Sequence, residues 1–260
     1  MGHFYDTDSN PRHFEGKDGG PTTLREARKL ALYPSVTTIQ QVVYKFQLEA
    51  WKQRQAAMAA AEAVLLSPPE AITDEWANEI MAAATKERME QTADVGTDMH
   101  DALEQYGFDR VVPHQWREMC AAVDDLVQQK TGRGIREFAN EQRFCDSVLG
   151  YAGQCDLSGH GWVIDYKSKE AADITPKLRG WPDQAEQLAA YAHGLHMPRA
   201  RLANVFVARS HDGDGPWPVA WFEHSDEYAW DRFRLALELW QVSKKYGPLF
   251  DARTHEEIAA

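Results

Sequence analysis

The run Gly150-Tyr-Ala-Gly-Gln-Cys-Asp156-Leu-Ser-Gly-His-Gly-Trp-Val-Ile-Asp165-Tyr-Lys167 decides the architecture. Two stretches of strand-forming residues flank Ser158-Gly159-His160-Gly161, a short glycine-rich turn, so the run predicts a β-hairpin. With Gly159-His160 as the two-residue loop, Leu157 faces Trp162 and Asp156 faces Val163. Alternation then places Val163, Asp165 and Lys167 on one face together with Asp156. The two aspartates become diagonal neighbours, with α-carbons roughly 7–8 Å apart. Trp162, Ile164 and Tyr166 share the other face and suit burial. A one-residue slip would turn them to solvent.

Two carboxylates this close repel and shift each other's ionisation unless a cation lies between them. Hard oxygen donors suit Mg²⁺ or Mn²⁺. Lys167, two residues beyond Asp165, points to the same place, where an ammonium orients water or offsets charge on a phosphate. The plainer alternative is a surface hairpin with solvated charges.

Other residues can converge on this segment. His100 and Glu104 stand at i and i+4 on one helix face, and a neutral imidazole is a common metal ligand; a half-buried helix histidine is the alternative. Glu141 lies one strand upstream of Asp156 and either completes a metal site or pairs with Arg143 or Arg136. Gln184, Gln187 and Tyr191 stand at i, i+3 and i+7 on the helix after the hairpin. Amide and phenol groups in a row hold a phosphate backbone or brace a lysine, or else simply meet solvent. His193 and His196 have zinc-like spacing but no further ligand cluster.

The 260 residues suffice for one large domain or two small ones, and 43% of them are apolar. No stretch approaches the ~20 apolar residues of a membrane span. Met1 to Gly20 is polar, without an apolar signal core, and reads as a flexible arm in a short segment, 1–33, with one helix. Cys120, Cys145 and Cys155 lack metal-ligand spacing and cannot all pair, which fits a reducing cytoplasm. A net charge of −12 argues against coating nucleic acid through bulk charge, but leaves room for a local basic cleft. Lys45, Lys52, Arg54, Arg133, Arg136, Arg143, Lys167, Lys169, Lys177 and Arg179 are candidates for its lining, each with a solvated surface charge as the alternative.

Along the chain, Thr22 or Thr23 caps a helix to Leu32, with Glu26 placed for a capping box. A helix from Ser35 to Leu66 ends at Ser67-Pro68-Pro69. Thr73 caps the next, which Gly96-Thr97 interrupts before Asp98 to Tyr106 resumes. A helix follows from Gln115 to Gln129. Strand patterns cover 135–145, 148–157, 162–168, 202–209 and 218–223. Helices are expected from Pro182 to His196 and from Asp226 to Tyr246, the last capped by Ser225. This order predicts an α/β (α+β) fold with a mixed central sheet flanked by helices, a helical N-terminal lobe over 34–130, and a core over 131–260.

In sequence order, Gly96-Thr97-Asp98-Met99-His100, Glu141, Gly153-Gln154-Cys155-Asp156, Asp165-Tyr166-Lys167 and Gln187-Leu-Ala-Ala-Tyr191 form a recognisable series. The chain resembles RecB-type members of the PD-(D/E)XK nuclease superfamily. Pro34-Ser35-Val36-Thr37 and Leu48-Glu-Ala-Trp51-Lys52 are similar to segments of phage exonucleases of that group and of the mitochondrial genome maintenance exonuclease. The resemblance spans about residues 34 to 225. It implies a restriction-endonuclease-like core and a Mg²⁺- or Mn²⁺-dependent DNA exonuclease of phage-type recombination, replication or repair. A structure-specific endonuclease and a catalytically idle nucleic-acid-binding module are the alternatives.

By the same resemblance, Asp156, Asp165 and the Tyr166 carbonyl hold one or two ions, with His100 as a further ligand and Glu141 beside a second ion or a bound water. Lys167 positions or activates the water. Gln187 and Tyr191 brace the site and contact DNA that is single-stranded or has a free end, and Gln184, Ser35 and Lys169 are further candidates for DNA contact from their places on the helix face, the N-terminal lobe and the basic lining. The four cysteines of an iron–sulfur cluster are missing, so none is expected. No helicase motif precedes the series, so an annealing, strand-binding or helicase partner is expected as a separate chain. No membrane is implied, and the cytoplasm of a bacterial or phage-infected cell is the expected place.

Overall fold

The computed structural model describes residues 2–43, 46–66, 71, 73–211, 213, 215–248 and 250–251; the side chains of 46–52, 55 and 83–94 are outside that description. Contacts group Met1–Val43 with His100–Ala260 as one compact unit and Tyr44–Met99 as a second. This division differs from the expected boundaries at 33/34 and 130/131.

In the first unit, β1 (Phe4–Tyr5) pairs antiparallel with β2 (Tyr33–Pro34). Between them lies α1 (Leu24–Lys29), whose first turn is capped by Thr23 accepting from the Glu26 N–H. The expectation of a flexible arm is therefore corrected. Phe4 packs with Ala27 and Leu32, and the Tyr246 hydroxyl donates to the Ala27 and Leu32 carbonyls. Two apolar residues were enough to anchor a polar segment, because their partners lie far along the chain.

The single helix expected from Ser35 to Leu66 is two: α2 (Val36–Gln40), capped by Ser35, and α3 (Phe46–Leu66). Lys45 lies outside the described residues, as do the side chains of Trp51 and Lys52. The break expected at Gly96-Thr97 is also absent, since α4 runs continuously from Asp74 to Gly107. A single glycine costs a helix only about 1 kcal/mol, too little to end a long one. The next helix, α5 (Arg117–Thr131), closes on Gly132 in the left-handed region.

Among the described residues, a five-stranded sheet has the order β3 (Ala139–Asp146), β4 (Tyr151–Gly159), β5 (Trp162–Lys169), β6 (Arg201–Ala208), β7 (Val219–His224). Only β5 and β6 are parallel, and α6 (Pro182–Gly194) supplies the crossover such a pair needs. Helix α7 (Ala229–Lys244) follows β7 and begins after Tyr228 without the expected Ser225 cap.

Strands β4, β5 and β6 are buried almost continuously rather than alternately, which requires cover on both faces. Helix α6 contacts β4, β5 and β6, α5 contacts β6 and β7, and α7 packs on α6. Val36, Ile39, Tyr151, Val163, Leu188, Phe233 and Trp240 belong to one core cluster. The mixed α+β class and the flanked mixed sheet agree with the sequence expectation. No helix of the described residues is long and apolar enough to cross a membrane.

Candidate active site

The hairpin turn is His160-Gly161, one residue later than expected. Both residues have positive φ (50° and 80°), which the tight two-residue turn demands. Gly159 consequently pairs with Trp162, Ser158 with Val163 and Leu157 with Ile164. One further step of this register sets Asp156 directly against Asp165, not diagonally. The shift is two residues in register, so both aspartates keep a common side.

The ladder stops before that step is taken. Beyond Leu157, β4 pairs with β3 alone, and β5 pairs with β6. Where the strands part, the Tyr166 N–H donates to Asp156 Oδ2 at 2.6 Å, so a side chain takes over a backbone hydrogen bond. On the other flank, the β3–β4 register sets Glu141 against Asp156, and this pair too is missing from the ladder. Glu141 has a φ of 52°, a conformation that costs a non-glycine residue free energy and clusters at functional sites. Glu141, Asp156 and Asp165 thus form a row across three neighbouring strands. Asn204, the parallel partner of Asp165, extends it onto β6.

Charge crowding is visible in this row. Burial, opposed by His100 but reinforced by Asp165, pushes the Asp156 carboxyl up to about 6. Burial, then the Asp156 charge, raises Glu141 to about 8, with Glu104 and Asp165 adding to it against the Gln154 amide. Lys167 Nζ lies 2.6 Å from Asp165 Oδ2. Burial draws the Lys167 ammonium down, but Asp165 and Asp156 outweigh it and hold its pKa above the ordinary lysine range. His100, on α4, approaches Asp156 Oδ2 with Nδ1 at 3.7 Å, and its ring meets the edge of Tyr166.

Gln187 and Tyr191 are buried, and the Gln187 amide donates to the Tyr191 hydroxyl at 2.7 Å. The Tyr191 phenol is held neutral by burial and by the Asp165 charge. Gln184 and Ser35 are engaged in caps. Gln184 Oε1 accepts the Trp181 N–H at the start of α6, and Ser35 Oγ accepts the Thr38 N–H. Lys169 sits over the Trp181 ring. Of the proposed basic lining, Arg133 pairs with Glu137, Arg136 with Asp109, and Arg143 donates to Gln154.

Sequence reading missed three supporting residues. Gln154 holds Glu141 through a hydrogen bond to Oε2. Asn204, fully buried, donates to the Asp165 carbonyl at 3.1 Å and to its Oδ2 at 2.9 Å. Because the Asn204 amide nitrogen is committed, its oxygen must accept, and His224 Nε2 stands 2.8 Å from it. The hydrogen bonds therefore run from His224 to Asn204 to Asp165. An asparagine within the otherwise apolar run from Leu202 to Ala208 was the available signal.

Asp156 and Glu141 have raised pKa values and the buried Asp165 stands beside them, a crowding of carboxylates that a hard divalent cation relieves, so Asp156, Asp165 and Glu141 fit Mg²⁺ or Mn²⁺. Among the described residues, no three His, Cys, Asp or Glu side chains stand in a ready-made ligand cluster. Asp165 Oδ2 is instead shared by Lys167 and Asn204. No family model matches the chain, and neither does any curated protein.

Proposed function

We propose that this chain is a Mg²⁺- or Mn²⁺-dependent deoxyribonuclease built on a PD-(D/E)XK core, degrading DNA from an end. The observation that carries the reading is the row Glu141–Asp156–Asp165 across three strands, with Lys167 Nζ 2.6 Å from Asp165 Oδ2. A divalent ion bound by Asp156, Asp165 and the Tyr166 carbonyl, with His100 and Glu141 as further ligands, would polarise the phosphate and make water a better nucleophile.

The chain's own groups have separable tasks. Lys167 stays an ammonium at neutral pH, so it donates to the attacking water or to a phosphate oxygen and does not take the water's proton. Glu141, whose carboxyl is pushed up to about 8 by burial and by Asp156, holds its proton in the metal-free chain and would release it on binding the ion or an ion-bound water. His100 stands beside Asp156, with Nδ1 3.7 Å from Oδ2, where a neutral imidazole would join the ligand set. The Gln187–Tyr191 pair keeps the neighbourhood of Asp165 ordered. Resemblance to phage exonucleases supports action from an end, and a separate strand-binding or helicase chain would load the DNA.

End-labelled linear DNA and sealed circles, incubated with Mg²⁺ or with EDTA, test this. Metal-dependent loss of linear DNA alone is the expected result. Cutting of sealed circles would replace the exonuclease with an endonuclease of the same chemistry. Binding without cleavage in either metal would overturn the enzyme reading in favour of an idle binding module.

A further inference from the structure

Open α/β sheets bind ligands beyond the carboxyl ends of their parallel strands. In this sheet those are the ends of β5 and β6, and they carry cations. Lys167 and Lys169 lie on β5, and Arg209 follows β6, its N–H donating to the Lys169 carbonyl at 2.9 Å. Such a cluster stands out in a chain of net charge −12. Lys167 is paired with Asp165, and Arg209 with Glu170.

Lys169 differs from both. Among the described residues no carboxylate lies within ion-pair distance of it. Its ammonium is 4.5 Å above the Trp181 ring centroid and 5.8 Å from that of Phe206. Burial, reinforced by Arg209 against Asp173, holds this ammonium below the ordinary lysine range, so an added anion would stabilise it. Trp181 is anchored through its backbone, since its N–H is bound by Gln184 Oε1 at 2.9 Å. Its ring is not absorbed into the core: the residue is 37% exposed. An anchored, open indole beside an unpaired cation is what a nucleotide needs, a plane for the base and a charge for the phosphate. Lys169 lies two residues past Lys167 on the same side of β5, roughly 6–7 Å further along the strand.

We infer that Trp181 and Lys169 bind one nucleotide of single-stranded DNA next to the Asp165–Lys167 pair, the base stacked on the indole and its phosphate on the ammonium. Bases inside a duplex are already stacked on both faces, so only an unpaired base can use this indole. The inference rests on the nuclease reading for its ligand and adds to it the strandedness of the substrate.

Anisotropy of a labelled oligothymidine and of a blunt duplex of equal length, both in EDTA so that no strand is cut, tests it. Trp181→Ala should weaken oligothymidine binding about tenfold, and Trp181→Phe by less than about threefold. Lys169→Ala should weaken it and flatten its salt dependence. Duplex affinity should be nearly unchanged in Trp181→Ala. Equal oligothymidine affinity in wild type and Trp181→Ala overturns the inference, as does an equal loss on both DNAs. If Trp181→Ala melts early, Trp181→Leu, which keeps apolar bulk and removes the stacking plane, carries the test by the same criteria. Cleavage of linear DNA without any dependence on Trp181 would sink this inference and spare the nuclease. Stacking on Trp181 without cleavage in Mg²⁺ would do the reverse.

Discussion

Lys167 and Asn204 both engage Asp165 Oδ2, yet their removal should have different consequences. Lys167 lies at the end of a flexible stem and supports no backbone. Lys167→Ala should therefore lower cleavage by about 10²–10³-fold, the usual cost of losing one preorganised donor. Calorimetric Mn²⁺ binding should survive, and a variant cutting at the wild-type rate would remove Lys167 from the chemistry. Asn204 is fully buried and satisfies a carboxylate, a carbonyl and His224 at once. Asn204→Ala strands all three, so it should cost about 1–3 kcal/mol of stability. It should also weaken Mn²⁺ binding, because Asp165 loses the donor that orients it. A denaturant midpoint and a Mn²⁺ affinity both unchanged in this variant would show that the His224–Asn204–Asp165 chain is idle.

At the scale of elements, the site exists because two strand pairs fail to close. β4 leaves β5 at Asp156 and misses its pair with Glu141 on β3, which frees three carboxylates from a regular sheet. The strands are held in this arrangement by packing from α6. Gly153 on β4 is the close-contact point, since a Cβ there would lie 2.9 Å from the Phe144 ring and 3.0 Å from that of Tyr191. Gly153→Val would push Tyr191 away from its bond with Gln187. Overpacking of this kind costs about 1–3 kcal/mol. The expected result is an earlier thermal transition together with a loss of cleavage larger than the loss of DNA binding. A Gly153→Val protein of wild-type activity would show that Tyr191 braces nothing.

For the whole molecule, the crowded acids make stability depend on pH in an uncommon direction. Asp156 and Glu141 have folded pKa values above their unfolded ones, so the native state holds protons that the unfolded chain releases. Stability from these groups is present at low pH and is lost as pH rises to about 8. His3, His13, His193 and His224 are depressed by burial and act oppositely, but only below their ordinary value of 6.5. Between pH 6.5 and about 8 the Glu141 contribution stands clear of them. In EDTA, wild type should lose melting temperature across this window, Glu141→Gln should lose less, and Mn²⁺ should offset the loss. Identical slopes for the two proteins would mean that Glu141 is not held protonated.

Much of this was legible in the chain itself. The hairpin, the helix starting at Pro182, a mixed sheet flanked by helices and the grouping of Asp156, Asp165 and Lys167 follow from alternation, turn glycines, spacing and element order, all readable along the chain. The N-terminal pairing of Phe4 and Tyr5 was not legible, because its partners come from Tyr33, Pro34 and Tyr246. Nor was the point where β4 and β5 part, the left-handed backbone of Glu141, or the tie from His224 through Asn204 to Asp165. Sequence by itself determined which chemical groups are carried and on which strands. Tertiary structure alone decided how they meet, because their ionisation and hydrogen bonding depend on burial and on neighbours drawn from distant segments.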